Sequence, residues 1–144
     1  MDDWVVFDID GVVADFRHRQ GFLDRTPADW VSFFAAAGTD PSLPDGVALA
    51  LRSVAERNLL WLTGRPERTR DLTVRWLAAH GLPTEHLYMR PDADMRPARV
   101  FKADRIQQLA ATKRIHLVID DDDGVVETLT AAGWPVRQVT WMGR

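Results

Sequence analysis

No cysteine occurs anywhere in the 144 residues, which removes both a disulfide framework and any thiolate metal site. No apolar run approaches the roughly 18 residues that a membrane-crossing helix needs. The first residues, MDDWVV, are acidic where a secretory leader would be basic. Positive charge is not in excess either: 18 Lys and Arg stand against 21 Asp and Glu, a net charge of −3, so no global field gathers nucleic acid. The pattern GxxxxGK[ST] is missing, which excludes nucleotide binding in the P-loop manner. Internal repeats, low-complexity tracts and long linkers are missing as well. What is present has the composition of a soluble globular chain, 46% apolar and 27% charged, at about the length of one domain. The expectation is a single domain over residues 1–144, a cytoplasmic enzyme or binding domain with no membrane partner.

Short apolar runs alternate with longer amphipathic stretches. Residues 4–9, 59–63, 86–90, 115–120 and 136–141 read as strands, several of them buried on both faces. Residues 28–37, 46–57, 67–80, 98–111 and 124–132 read as helices, punctuated by Pro27, Pro44, Pro66, Gly38, Gly81 and Gly133. Strands alternating with helices imply an α/β fold, a mostly parallel sheet with helices on both faces. Residues 15–45 contain only helical pattern and read as a small insertion after the first strand. In such sheets ligands bind beyond the carboxyl ends of the strands.

Those ends are where the chemistry gathers. The first strand finishes in Asp8-Ile9-Asp10-Gly11, the second in Thr63-Gly64-Arg65, and the fourth in Asp120-Asp121 of the run IDDDDG. Lys102 lies between the third and fourth strands. Asp-Gly is a strong hairpin signal, but no second strand follows Gly11 directly. A calcium loop fails on spacing, since its glycine would place Val6 or Ile119 at the first ligand position. His18, His80, His86 and His116 show no ligand spacing and read as packing or surface residues. Four acids, a hydroxyl, an arginine and a lysine at one sheet edge fit phosphoryl transfer. One carboxylate serves as nucleophile and a second as proton carrier, provided its proton affinity is kept high. Fixed cations neutralise the approach of one anion to another, and Asp oxygens suit Mg2+. From Arg65 to Arg105 positive charges exceed negative ones by three, a candidate phosphate-facing surface.

These residues resemble the four motifs of the haloacid dehalogenase (HAD) superfamily: DIDGV at 8–12, LTGR at 62–65, Lys102, and IDD at 119–121. Longer stretches, among them LTGRPERTRDLTVRWLAAHGLP and LYMRPDADMRPARVFKADRI, are similar to the 3′-phosphatase domain of polynucleotide kinase-phosphatases. The resemblance implies a Rossmann-like three-layer sandwich with a small helical cap at 15–45. It further implies an Mg2+-dependent phosphomonoesterase working through an aspartyl-phosphate, acting on 3′-phosphates of nucleic-acid ends. Its implied roles are Asp8 as nucleophile and metal ligand and Asp10 as acid/base with its carbonyl on the metal. Thr63 would be the phosphate-binding hydroxyl, Arg65 a phosphate or substrate contact, and Lys102 the stabilising cation. Asp121 would be a metal ligand, with Asp120 supporting Lys102 or a metal-bound water, while Asp123 is expected to be a plain surface residue. Gly64, Arg90 and Arg96 are expected on the substrate, with Arg99 near the entrance. One departure is Val12, where the superfamily motif carries Thr; this brings the chain closer to 5′(3′)-deoxyribonucleotidases. The other is the lack of a kinase half, which implies a stand-alone phosphatase or one partner of a separate kinase or ligase. A nucleotidase or small-metabolite phosphatase, and a non-catalytic phosphate-binding module, are the competing expectations.

Overall fold

The computed structural model describes residues 2–143. Five strands, β1 (Asp3–Phe7), β2 (Asn58–Pro66), β3 (Leu87–Arg90), β4 (Arg114–Asp120) and β5 (Val136–Gln138), form one sheet in the order β3-β2-β1-β4-β5. Every pairing is parallel, so the expected mostly parallel sheet has no antiparallel member among the described residues. β1, the apolar run DWVVF, lies at the centre between β2 and β4.

Alternation along β1 explains the layers. Val5 and Phe7 face one side, against Leu49 and Ala50 of helix α2 (Pro44–Glu56) and Trp76 and Leu77 of α3 (Arg70–Ala79). Trp4 and Val6 face the other, against Phe101, Ile106 and Leu109 of α4 (Ala98–Leu109) and Val125 and Leu129 of α5 (Asp123–Ala131). A strand buried on both faces has no polar position to spare until it ends. That is why β1, after Asp3 at its half-buried start, carries no further acid until the chain has passed Phe7, and why β4 carries its acid at its last residue. No helix among the described residues is long and apolar enough to cross a membrane.

The insertion at residues 15–45 is built of short helical segments joined by turns. It holds a 3-10 helix at Arg17–Phe22, the short helix α1 (Trp30–Ala35) capped by Asp29, and a 3-10 turn at Ala36–Thr39. An antiparallel bridge between Ala14 and Ser42 ties its two ends together. Three strand limits differ from expectation. β1 stops at Phe7, leaving Asp8 and Asp10 in the turn beyond it. β2 runs on through Thr63, Gly64 and Arg65 with a register shift against β3. β5 stops at Gln138 rather than 141. The helix expected at 67–80 begins as a 3-10 turn, Glu67–Thr69, before α3 proper. α2 can start directly beside the first turn only because residue 46 is glycine: a Cβ there would lie 1.6 Å from the Val12 carbonyl oxygen.

Candidate active site

After β1 the chain makes a tight turn in which the amides of Val12, Val13 and Ala14 converge on the carbonyl of Ile9. Gly11, at φ +81°, permits that turn. It also leaves room for a neighbour, since a Cβ at this position would lie 2.0 Å from Oδ2 of Asp121. The carboxylate from the end of β4 therefore packs directly on the glycine of the first turn. This contact joins two motifs 110 residues apart in sequence.

Asp8, Asp120 and Asp121 are all buried, and each offers a carboxylate oxygen within 4.8 Å of the others. Lys102, on α4, is buried with them; its Nζ is 3.0 Å from Asp8 and 2.6 Å from Asp120. Burial would strip the lysine of its proton, but the charges of Asp120 and Asp8 outweigh that and hold it above its ordinary value. Burial, reinforced by Asp120, pushes the Asp8 carboxyl well above the usual carboxylate range, with Lys102 opposing. Three buried acids gather beside one buried ammonium. A hard divalent cation suits that donor set in both charge and oxygen chemistry.

Asp10 belongs to a different cluster. Arg19 donates Nη2 to it at 2.7 Å and Arg65 donates Nη2 at 2.8 Å. Both arginines also reach the buried Asp40: Arg19 bidentately at 2.8 and 2.6 Å, Arg65 at 3.3 Å. Burial tends to raise the Asp10 carboxyl, yet the two guanidiniums win and lower it. The raised proton affinity anticipated from the sequence is thus reversed in this arrangement, because two fixed cations face one carboxylate.

The remaining expected residues separate by surroundings. Thr63 is fully buried and its hydroxyl accepts from the Arg65 amide at 3.1 Å, leaving its hydrogen to donate. Arg65, expected on phosphate, has its guanidinium committed to Asp10, Asp40 and the Thr73 hydroxyl, with none of its surface exposed. Arg90, expected on substrate, donates to the carbonyls of Gly64, Asp94 and Arg96 and lies over the Phe101 ring. It staples the loop 91–97 to the Thr63-Gly64 segment. Arg96 is exposed and paired with Asp94 and Asp104, and Arg99 is exposed. Arg96 and Arg99 are thus exposed, while Arg65 and Arg90 are engaged with other groups of the chain.

Within the four-aspartate run each side chain has its own partner or place. Asp120 takes Lys102 and the Asp122 amide. Asp121 sits over Gly11. Asp122 caps α5 by accepting from the Val125 amide, and Asp123 accepts from Gln138. The four side chains of the run thus have four different surroundings.

Arg19, Asp40, Thr73 and Gln138 were not singled out by sequence reasoning. Arg19 sits in Arg17-His18-Arg19, which looks like an exposed basic run, and Asp40 in a turn-like Thr-Asp-Pro; neither pattern signals burial. His18, read as a packing or surface residue, is half exposed with Nε2 2.6 Å from Asp40.

An all-parallel sheet with buried acids and a lysine beyond the central strands has the architecture of the haloacid dehalogenase phosphatases. The model of the polynucleotide kinase PNKP phosphatase domain matches residues 2–142, and the chain belongs to that family. Two solved structures of the Pnkp1/Rnl/Hen1 complex are similar to it. They have TM-scores of 0.81 and 0.82 at 20% identity and cover 96% of this chain. This chain spans under half of theirs, 46% and 42%. A class C acid phosphatase from Bacillus anthracis with tungstate bound is also similar, with TM-score 0.68 at 17% identity, over 91% of this chain and 61% of that one. A haloacid dehalogenase-like hydrolase from Streptococcus pneumoniae has TM-score 0.63 at 14% identity, over 96% and 84%. No curated protein matches the sequence.

Proposed function

We propose that this domain is an Mg2+-dependent phosphomonoesterase that removes 3′-phosphates from nucleic-acid ends through an aspartyl-phosphate on Asp8. The observation that carries the proposal is the cluster of Asp8, Asp120 and Asp121 around Lys102, in a member of the polynucleotide kinase phosphatase-domain family. Asp8, Asp120 and Asp121 would hold the cation, together with the Asp10 carbonyl. The cation would neutralise phosphoryl oxygens that the acids otherwise repel.

The chain's own groups divide the rest of the chemistry. An Asp8 carboxylate oxygen forms a bond to phosphorus as the bond from phosphorus to the 3′-oxygen breaks. The leaving oxygen takes a proton from Asp10, whose carboxyl must first have gained one against the pull of Arg19 and Arg65. Water then attacks the acyl phosphate, Asp10 as a carboxylate takes that water's proton, and inorganic phosphate leaves as Asp8 is regenerated. Arg19 and Arg65 hold the Asp10 carboxyl in place and favour its ionised form, which serves the second step. Thr63 donates its hydroxyl hydrogen to the phosphoryl group, and Lys102 balances the charge beside the nucleophile. A small cap over residues 15–45 leaves room for a polymer end, and a kinase or ligase on another chain would supply the adjoining repair steps.

The test compares 3′-phosphorylated oligonucleotides with 3′- and 5′-mononucleotides across a range of salt, with Asp8→Asn as the control. Oligonucleotides should show the higher kcat/KM, with a preference that falls as salt rises, and Asp8→Asn should be inactive while folded. Equal or better efficiency on mononucleotides would move the assignment to the nucleotidase reading. Full activity in Asp8→Asn would refute the covalent mechanism.

A further inference from the structure

Gln138 is the last residue of the edge strand β5, at the register position opposite Asp120. The amide of Val139 bonds to the Asp120 carbonyl at 3.0 Å, which locks β5 to the end of β4. From there the Gln138 side chain reaches over the four-aspartate run. Its Nε2 donates to the Asp121 carbonyl at 3.2 Å and to Asp123 Oδ1 at 2.6 Å. Both hydrogens of the amide are thus used. The orientation is chemically determined, because turning the amide over would aim its oxygen at two acceptors.

The position matters because of what Asp121 does next. Its side chain packs against Gly11 and stands among the carboxylates of Asp8 and Asp120. A shift of its backbone would move that carboxylate within a cluster whose fit to a cation depends on oxygen spacing. The carbonyl that Gln138 holds belongs to this residue. Asp123, exposed and at the first turn of α5, anchors the other hydrogen of the amide. Without it the Gln138 side chain would have one restraint on an exposed edge strand.

We infer that Gln138 is a positioning residue for the metal site, with Asp123 as its anchor. A neutral two-donor amide suits this place. A carboxylate in the same shape would face the Asp121 carbonyl and the Asp123 carboxylate, with charge added beside four existing aspartates. The inference rests on the metal-dependent reading above and concerns this chain's residues only.

The experiment measures Mg2+ and Mn2+ affinity directly, by calorimetry and Mn2+ EPR, in the wild type, Gln138→Ala, Gln138→Glu, Asp123→Ala and Asp123→Asn. Thermal stability without metal serves as the fold control. Gln138→Ala and Asp123→Ala should weaken metal binding about 10-fold, in the range found for residues that orient metal ligands. Gln138→Glu should weaken it further, and Asp123→Asn, whose amide oxygen still accepts, should stay near the wild type. Stability without metal should change little in all four. This order, with the isosteric Glu worse than the truncation, is one that simple loss of edge-strand packing would not produce. Metal affinity within twofold of the wild type in both Gln138 variants would overturn the inference while leaving the phosphatase reading intact. A wild type that binds neither metal would overturn the metal reading, and this inference with it.

Discussion

Arg19→Met tests the cluster that the sequence concealed. Arg19 has no exposed side-chain surface and makes three hydrogen bonds to carboxylates: two to Asp40 and one to Asp10. It donates further to the Phe33 carbonyl at 3.3 Å and lies 4.4 Å above the Phe33 ring. Methionine preserves much of the volume and removes every one of these donors. Removing one partner of a buried ion pair costs about 3–5 kcal/mol. Asp40 keeps Arg65 and His18, and Asp10 keeps Arg65, so the low end, about 3 kcal/mol, applies. For a domain of this size that is a drop in Tm of roughly 10 °C. Urea unfolding followed by tryptophan fluorescence measures it, and Arg17→Ala, an exposed neighbour, should cost under about 0.5 kcal/mol. Catalysis should fall further than stability accounts for, because Asp10 loses one of two fixed donors; about 10²-fold in kcat for folded protein is the expected scale. A folded Arg19→Met variant within 1 kcal/mol of the wild type, with unchanged kcat, would refute the view that this buried network holds Asp10 in place.

Two further outcomes follow from specific contacts. Gly11→Ala should lower activity by more than about 10²-fold while the domain stays folded. The added methyl would collide with the Asp121 carboxylate, and φ +81° adds about 1–2 kcal/mol of strain; a mildly affected enzyme would refute the close approach. Asp94 is held at about 2, first by the Arg96 side chain and then by the Arg96 amide. Its contribution to loop order is therefore complete above the ordinary carboxylate value near 3.9 and is lost as pH falls toward about 2. NMR titration of the Arg96 amide should show that low midpoint, and a midpoint at or above 3.9 would refute the pairing.

The sequence determined a good deal by itself. Alternation of short apolar runs with amphipathic stretches determined a parallel α/β sheet, because strands buried on both faces must be apolar throughout. The same fact made Asp8, Asp10 and Asp120 legible: a charged residue at the end of such a run can only lie at the sheet edge. What tertiary structure alone decided is which charges are buried and with whom. Arg19 and Asp40 carry no periodic or motif signal, and they meet only because the insertion folds back over the first turn. Arg65 turned inward to Asp10 and Asp40 rather than toward the opening, since a buried guanidinium goes where buried carboxylates already stand. Gln138 reaches Asp121 because β5 pairs with β4 in one particular register. Pattern fixes where a side chain sits along an element; partners across elements depend on distances that no local pattern encodes.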